Sequence, residues 1–215
     1  MYLSRVEINP RLRTCITALN SPQQLHAMIA ASFPLSAHHA GERLYLWRID
    51  KIDQSLFILV TSPKKPDFSH LIEQIGWPAS EQSWETASYS PFLTRLDSGQ
   101  KWQFRLRANP TWSKKHGEEP GVRGKVTPCS GIDEQKEWLE RKMQKSGASL
   151  DSYDLTNRSV DQFARNKKTV TISTATYEGI LTIVDAGLLR QAMVNGIGRA
   201  KGYGCGLLTL ARASR

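Results

Sequence analysis

The chain has 215 residues, of which 40% are hydrophobic, and it carries a formal net charge of +9. This length accommodates one large domain or two small ones, and the hydrophobic content is ordinary for a globular core, so disorder is not the default. The sequence has no run of about 18 apolar residues and no secretory pattern at its start, so we expect a soluble, cytoplasmic protein.

The three cysteines, Cys15, Cys129 and Cys205, do not form a recognisable pattern. They are widely separated, odd in number and never arranged as C-x-x-C, so the sequence predicts neither a disulfide framework nor a zinc site. We therefore expect free thiols that are at least partly buried.

The positive charge is concentrated in the second half of the chain. Residues 1–90 contain 8 Lys/Arg and 8 Asp/Glu, whereas residues 91–215 contain 21 and 12, so the whole excess of 9 lies in the second half. A one-sided excess favours a partner with a phosphate backbone, because binding releases that backbone's condensed counterions. Charge alone leaves simple solubility as an equally good explanation.

The predicted elements of the first 90 residues follow the order β-α-β-β-α-β. Met1 to Asn9 alternates as a strand does. Ser21-Pro22 predicts a helix start, with serine at the N-cap and proline at the first helical position. The remaining predicted elements are strands at Arg43 to Ile49 and Leu56 to Thr61, a short helix at Asp67 to Ile75 and a strand around Trp84 to Tyr89.

A second round of the same order begins near Gln100, where apolar and polar residues alternate along a predicted strand. After a basic loop, the predicted elements are a helix at Ile132 to Lys145, paired strands at Thr169 to Ser173 and Tyr177 to Val184, a helix at Ala186 to Val194 and a last strand at Leu207 to Leu210. This order is that of the ferredoxin-like (RRM-like) motif. We therefore predict an α+β protein of two tandem ferredoxin-like domains, spanning residues 1–90 and 91–215.

The densest local signal is the segment from Gly196 to Leu208, called the glycine-rich segment below, which has five glycines within 11 residues. Its backbone can approach a ligand closely, and Arg199 and Lys201 add charge that suits phosphates. It is not a Rossmann fingerprint, because Lys201 replaces the third glycine of G-x-G-x-x-G and the segment precedes a strand. It is not a Walker loop either, because it lacks G-K-[ST].

Three stretches resemble the CasE family of CRISPR-associated endoribonucleases, which work within the Cascade complex. They are the opening strand Met1-Tyr2-Leu3-Ser4, the segment Phe104-Arg-Leu-Arg-Ala-Asn-Pro110, and the glycine-rich segment with its G-C-G-L-L ending. The resemblance implies two ferredoxin-like domains, with the glycine-rich segment near the RNA and packed on the first domain. It also implies an endoribonuclease that needs no metal ion or other cofactor. Such an enzyme binds and cleaves the repeat hairpin of precursor CRISPR RNA and keeps the mature guide RNA among the other Cascade subunits.

The resemblance places the catalytic histidine at His26, in the first helix of the first domain. RNA is cut without a metal when its own 2′-hydroxyl attacks the adjacent phosphorus, and a histidine suits the proton transfer because it titrates near neutrality. Without the resemblance, a lone histidine here is better read as a helix-surface or capping residue. The pair His38-His39 is a weaker candidate, expected in a solvated loop. Gln23 stands where the family commonly has a tyrosine, which removes one supporting hydroxyl.

We expect the basic residues of the second domain and the glycine-rich segment to bind the substrate. The resemblance implies that a basic hairpin enters the RNA groove and that the stem is recognised largely by its shape. Taken singly, each of these charges is more often a solvated surface residue, so we expect roughly half of them to touch RNA. The predicted RNA-binding residues are Arg105, Arg107, Lys114, Lys115, Arg123, Lys125, Arg158, Arg165, Lys167, Lys168, Gly196, Gly198, Arg199, Lys201, Gly204 and Gly206.

Two other functions remain open from the sequence. A non-catalytic RNA-binding subunit that holds a processed guide RNA would use the same basic face, and Gln23 slightly favours it. A purely structural interaction domain would explain neither the glycine-rich segment nor the confinement of the charge to one half of the chain.

Overall fold

The computed structural model describes residues 1–34, 45–80, 83–114, 125–166 and 168–212. Its strands fall into two four-stranded sheets and one separate two-stranded ribbon. The elements in chain order are β1 (Tyr2–Ile8), α1 (Arg13–Leu19), α2 (Pro22–Ala30), β2 (Leu46–Ile52), β3 (Ser55–Ser62), α3 (Ser69–Ile75), β4 (Trp84–Ser88), α4 (Ser90–Thr94), β5 (Lys101–Ala108), β6 (Thr111–Lys114), β7 (Lys125–Pro128), α5 (Ile132–Lys145), β8 (Ala148–Arg165), β9 (Lys168–Ile183), α6 (Ala186–Asn195), a 3-10 turn (Lys201–Tyr203) and β10 (Leu208–Ala211).

The first sheet has the strand order β2-β3-β1-β4, and every neighbouring pair is antiparallel. Its core lies against the helices α1 to α3, because apolar side chains on one face of the sheet pack with one stripe of each helix. The buried residues of this core include Val6, Ile58 and Val60 from the sheet with Leu25 and Leu71 from the helices.

The second sheet has the order β10-β5-β9-β8, again fully antiparallel. Each sheet therefore places its fourth strand beside its first, then its third and second, which is the arrangement expected of the split-βαβ motif. The helices α5 and α6 bury Trp138 and Leu189 against this sheet. The predicted α+β fold with two tandem ferredoxin-like sheets is confirmed, whereas the domain boundary at residue 90 stays a prediction.

The strands β8 and β9 form one long hairpin, which the sequence pattern did not indicate. The predicted pairing of Thr169–Ser173 with Tyr177–Val184 is wrong, because both segments belong to β9 and both pair with β8. The outer part of β8 has no alternating apolar face, since residues 156–160 are all exposed and only Phe163 is buried between residues 156 and 165. Its strand conformation comes from backbone pairing with β9, so side-chain alternation carries no signal there.

The start of α2 is confirmed, whereas α1 was not predicted. Ser21 caps α2 by accepting a hydrogen bond from the Gln24 amide at 3.3 Å, and Pro22 is the first helical residue. The helix α1 lacks a side-chain cap and buries only Cys15 and Ala18, so little in its sequence distinguishes it from a loop.

Two expectations from composition can be compared with the structure. All three cysteines are free and buried, which confirms the prediction made for them. Within the described ranges, no helix is long and apolar enough to cross a membrane.

Arg48 of β2 joins the two sheets through its guanidinium group, which is almost completely buried. Its Nε and Nη2 atoms donate to the two carboxylate oxygens of Asp50, each at 2.7 Å. Its Nη1 atom donates to the backbone carbonyls of Arg105 at 2.8 Å and Leu207 at 2.9 Å. The Nη2 atom also donates to Thr209 Oγ1 at 2.8 Å. A cation of the first sheet thus satisfies three acceptors of the second.

The substitution Asp50→Asn keeps the shape of the side chain but removes the charge that balances Arg48. Because the guanidinium then stays buried without its partner, we expect the free energy of unfolding to fall by about 3 kcal/mol. Urea denaturation followed by tryptophan fluorescence measures this change. The control Arg5→Gln breaks an exposed ion pair with Glu85 at 3.0 Å, and it should cost less than about 1 kcal/mol. Equal losses in the two variants would contradict this role for Arg48.

Candidate functional site

His26 lies in α2, at the edge of the apolar core between the first sheet and the helices α1 to α3. The adjacent Leu25 and Ile29, one turn further on, are buried in that core, whereas His26 is only partly buried. The imidazole instead faces the glycine-rich segment, since a Cβ atom built at Gly202 would lie 3.6 Å from Cε1 of His26. The amphipathic pattern of α2 therefore aims this histidine out of its own core and toward the second half of the chain.

Tyr45, directly before β2, contacts His26 through its hydroxyl group. The phenol oxygen lies 2.7 Å from Nδ1 of His26 and 2.8 Å from the His26 backbone carbonyl, to which it donates. The Tyr45 ring is buried and stacks on Phe33, with 5.2 Å between ring centroids and 5° between planes. Burial raises the pKa of the Tyr45 phenol above its usual value, so the group is neutral and its hydroxyl is fixed in place.

Burial lowers the pKa of the His26 imidazole, and the positive charge of Arg165 lowers it further. Both effects disfavour the imidazolium form, so more of the histidine is neutral and able to accept a proton at neutral pH. Arg165 lies at the end of β8, where its Nη1 atom donates to the hydroxyl of Tyr203 at 2.8 Å. We call the end of the β8–β9 hairpin where the two strands connect, at Arg165 and Lys168, its outer end. This outer end thus meets the glycine-rich segment beside His26.

The glycine-rich segment runs from α6 to β10 and packs on β2. Cβ atoms built at Gly196 and Gly204 would lie 2.7 Å from Leu46 and 3.1 Å from Trp47, and both residues have positive φ angles, so glycine suits these two positions. The Gly206 amide donates to the Arg107 carbonyl at 2.7 Å, which ties the segment to β5 as well. The packing on the first half of the chain agrees with the expectation drawn from the resemblance.

Only part of the predicted RNA-binding set lies near His26. Arg165 is exposed beside the imidazole, and Lys168 is its exposed neighbour across the hairpin. Arg107 lies behind the glycine-rich segment, where its Nη2 atom pairs with Asp161 at 2.6 Å. Lys201 donates to the Asn195 carbonyl at 2.7 Å. The predicted residues Gly196, Gly198, Gly204 and Gly206 all have positive φ angles, and Arg199 is exposed between them.

Other predicted RNA-binding residues lie away from the imidazole. Arg105 is within 3.6 Å of Asp50 and 3.1 Å of Glu178, on the side where the two sheets meet. Arg158 is exposed, and its Nη2 atom donates to the carbonyl of Ser130, next to the start of α5. Neither side chain has a described contact with His26, whose pKa responds to Arg165 instead.

The remaining candidates fall in or beside ranges that the structure does not describe. Lys114 and Lys125 face each other in the β6–β7 ribbon, and only their backbones are described. Outside the described residues lie Lys115, Arg123 and Lys167, together with His38, His39 and His116. In the described part of the chain, no group of three or more His, Cys, Asp or Glu side chains is arranged to hold a metal ion.

The structure adds three residues to the site that the sequence did not single out: Tyr45, Gly202 and Tyr203. Gly202 and Tyr203 belong to the glycine-rich segment. The sequence therefore indicated that this segment binds a ligand, but it did not predict the contacts of these two residues. Tyr45 carried no signal, because its contact with His26 spans 19 positions and local sequence patterns do not report such contacts.

Two glycines of this segment should respond differently to a single methyl group. Gly206 has a φ of +89°, and a Cβ atom there would lie 2.7 Å from the Ile197 carbonyl oxygen, so Gly206→Ala strains the backbone. We expect it to lower the free energy of unfolding by about 2 kcal/mol. At Gly202 the added Cβ makes only ordinary contact with His26, so Gly202→Ala should cost less than about 1 kcal/mol. Thermal unfolding of both variants measures the difference, and equal destabilisation would contradict it.

Comparisons with known proteins support the resemblance noted in the sequence. A family model described as CRISPR associated protein matches residues 1–212. The CRISPR-associated endoribonuclease Cse3 of Thermus thermophilus is 26% identical over 226 residues, covering 98% of this chain and all of that protein. The CRISPR system Cascade subunit CasE of Escherichia coli K12 is 35% identical over 122 residues, covering 54% of this chain and 61% of that protein. The structure of Thermus thermophilus Cse3 bound to an RNA representing a pre-cleavage complex matches with a TM-score of 0.79 at 24% identity, covering 98% of each chain.

Proposed function

This chain belongs to the family of CRISPR associated proteins, and we propose that it is an endoribonuclease that cleaves the repeat hairpin of precursor CRISPR RNA without a metal ion. The names of its relatives, an endoribonuclease and a Cascade subunit, support this activity. The observation that carries the proposal is the position of His26. Its partly buried imidazole lies between the glycine-rich segment and the cationic end of the β8–β9 hairpin.

Cleavage of this kind requires little machinery from the protein. The 2′-hydroxyl of the RNA attacks the adjacent phosphorus in line, which leaves a 2′,3′-cyclic phosphate on one fragment and a 5′-hydroxyl on the other. The protein must hold that geometry, take the proton from the attacking oxygen and offset the charge of the phosphorane. A neutral His26 takes the proton of the 2′-hydroxyl, the departing 5′-oxygen takes a proton from water, and the imidazolium then returns its proton to the solvent. Arg165, whose charge already acts on the imidazole, is placed to offset the phosphorane charge.

The RNA stem follows the β8–β9 hairpin, which extends past the other strands of its sheet. Among the hairpin residues that the structure describes, the exposed cations are Arg158, Arg165 and Lys168. Because the major groove of A-form RNA hides its base edges, such a hairpin recognises the stem by its phosphates and its shape. Arg105 and Arg107 remain in the proposed contact set, although RNA phosphates must compete there with the carboxylates that already pair with both side chains.

The two halves of the chain divide this work. The N-terminal domain, residues 1–90, supplies His26, and the C-terminal domain, residues 91–215, supplies the basic face and the glycine-rich segment. The cleaved hairpin stays bound, and the protein keeps the mature guide RNA together with other Cascade subunits in the cytoplasm.

The substitution His26→Ala should slow cleavage of an end-labelled repeat hairpin in EDTA by about 10²- to 10⁴-fold, because it removes the group that accepts the proton. RNA affinity should change little, since an imidazole contributes little to phosphate binding. A hairpin with 2′-deoxyribose at the cut site should not be cleaved by the unmodified protein, because it lacks the nucleophile.

His70→Ala is the matched control for this experiment. His70 is a partly buried helical histidine whose Nε2 atom lies 3.0 Å from the Met28 carbonyl, and it has no described contact with the glycine-rich segment. This variant should cleave at the unmodified rate. Tight binding with no cleavage by the unmodified protein would contradict the proposal and indicate instead a subunit that holds a processed guide RNA.

Removal of two cations at the outer end of the hairpin, Arg165→Ala with Lys168→Ala, should weaken RNA binding in a salt-dependent way. If each contacts a phosphate, the slope of log K against log salt concentration should become shallower by about 2. The control removes two cations at the inner end, Lys101→Ala with Lys145→Ala, close to where β8 begins. An unchanged slope in the first pair, or equal changes in both, would remove the hairpin end from the RNA interface.

A further inference from the structure

The hydrogen bonds between Tyr45 and His26 leave one consistent arrangement of protons. The Tyr45 hydroxyl has a single hydrogen and lies within bonding distance of two His26 atoms, Nδ1 at 2.7 Å and the backbone carbonyl oxygen at 2.8 Å. A carbonyl oxygen can only accept, so the hydroxyl hydrogen goes to it. The hydroxyl oxygen then accepts at the other contact, and Nδ1 must carry the hydrogen that is donated.

We propose that Tyr45 is a positioning residue that fixes the tautomer of His26, so that Nε2 is the nitrogen that exchanges a proton with the RNA. The tautomer follows from the geometry alone, whereas its use in cleavage rests on the proposed function. In a neutral histidine one nitrogen is a donor and the other an acceptor, and the bond made at one nitrogen decides the state of the other. With hydrogen on Nδ1, the lone pair of Nε2 is the free base.

The surroundings of both groups hold this arrangement in place. Tyr45 cannot turn away, because its ring is buried and stacked on Phe33. On the opposite side, Gly202 presents no side chain to the imidazole, and the positions closest to a Cβ built there are Cε1, Nδ1 and Nε2. No hydrogen bond to Nε2 is found within the part of the chain that the structure describes.

Within the described ranges, the charged and titratable groups that act on the imidazole or hold those that do come from three elements. They are Tyr45 before β2, Arg165 at the end of β8 and Tyr203 in the 3-10 turn, which binds Arg165. Arg165 disfavours the imidazolium but does not distinguish between the two neutral tautomers by a hydrogen bond. The hydroxyl of Tyr45 is the group that makes this distinction.

Nitrogen NMR of protein labelled with nitrogen-15 histidine tests the tautomer directly, without RNA and without cleavage. Above the pKa of His26, we expect its signals to be those of a protonated Nδ1 and an unprotonated Nε2. The signals are assigned by their loss in His26→Gln. A spectrum with the hydrogen on Nε2 would overturn the proposal. In Tyr45→Phe the population should move toward the Nε2-protonated tautomer, and an unmoved population would equally overturn it.

Single-turnover cleavage tests the consequence for catalysis. Tyr45→Phe removes only the hydroxyl, so we expect the rate at saturating protein to fall by about 10- to 100-fold with unchanged RNA affinity. Tyr177→Phe is the control, because it also removes a buried hydroxyl that donates to a carbonyl, that of Gln135 at 2.9 Å, but does not touch His26. It should cleave normally. A full rate in Tyr45→Phe, or the same loss in both variants, would overturn the positioning role.

The cleavage assay and the NMR spectrum distinguish a failure of the proposed function from a failure of the proposed tautomer. If the unmodified protein does not cleave the hairpin, the proposed function fails, while the NMR spectrum still decides the tautomer. If Tyr45→Phe does not fold, the spectrum of the unmodified protein decides the tautomer by itself.

Discussion

The buried guanidinium of Arg48 constrains how the two halves of the molecule fit together. A buried cation is stable only when its donors are satisfied, and Arg48 needs Asp50 from its own strand together with acceptors from the other sheet. This requirement fixes the position of β2 against β5 and β10. The three residues before Arg48 then make the remaining contacts: Trp47 and Leu46 with the glycine-rich segment, and Tyr45 with His26. The strand β2, with Tyr45 directly before it, thus makes both the contact between the two sheets and the contacts around His26.

The candidate site is formed by residues from both halves of the chain, and its electrostatics depend on this combination. His26 and Tyr45 come from the first half of the chain, whereas Gly202 and Arg165 come from the second. The whole net charge lies in the second half, but some of its cations are paired internally, such as Arg107 with Asp161. The cations at the outer end of the hairpin stay exposed to a substrate. A neutral base beside exposed cations is what phosphodiester cleavage by an internal hydroxyl requires.

Local patterns predicted most of the fold, because apolar alternation and capping residues are properties of short stretches. Ser21-Pro22 began the helix that carries His26, and Ile132 to Lys145 formed a helix with the predicted bounds. The β8–β9 hairpin escaped prediction because the outer part of β8 buries a single apolar residue, Phe163, and shows no alternating pattern. The resemblance pointed to His26 and to the glycine-rich segment. Tyr45 could not be predicted, because its contact depends on how a distant segment returns to α2.

The central claim is that the RNA itself supplies the nucleophile and that His26 takes its proton. The most direct measurement is the mass of the two fragments produced from an unlabelled repeat hairpin in EDTA. The account predicts a 2′,3′-cyclic phosphate on the upstream fragment and a 5′-hydroxyl on the downstream one. A 3′-hydroxyl upstream with a 5′-phosphate downstream would contradict it, because water and not the 2′-oxygen would then have attacked the phosphorus.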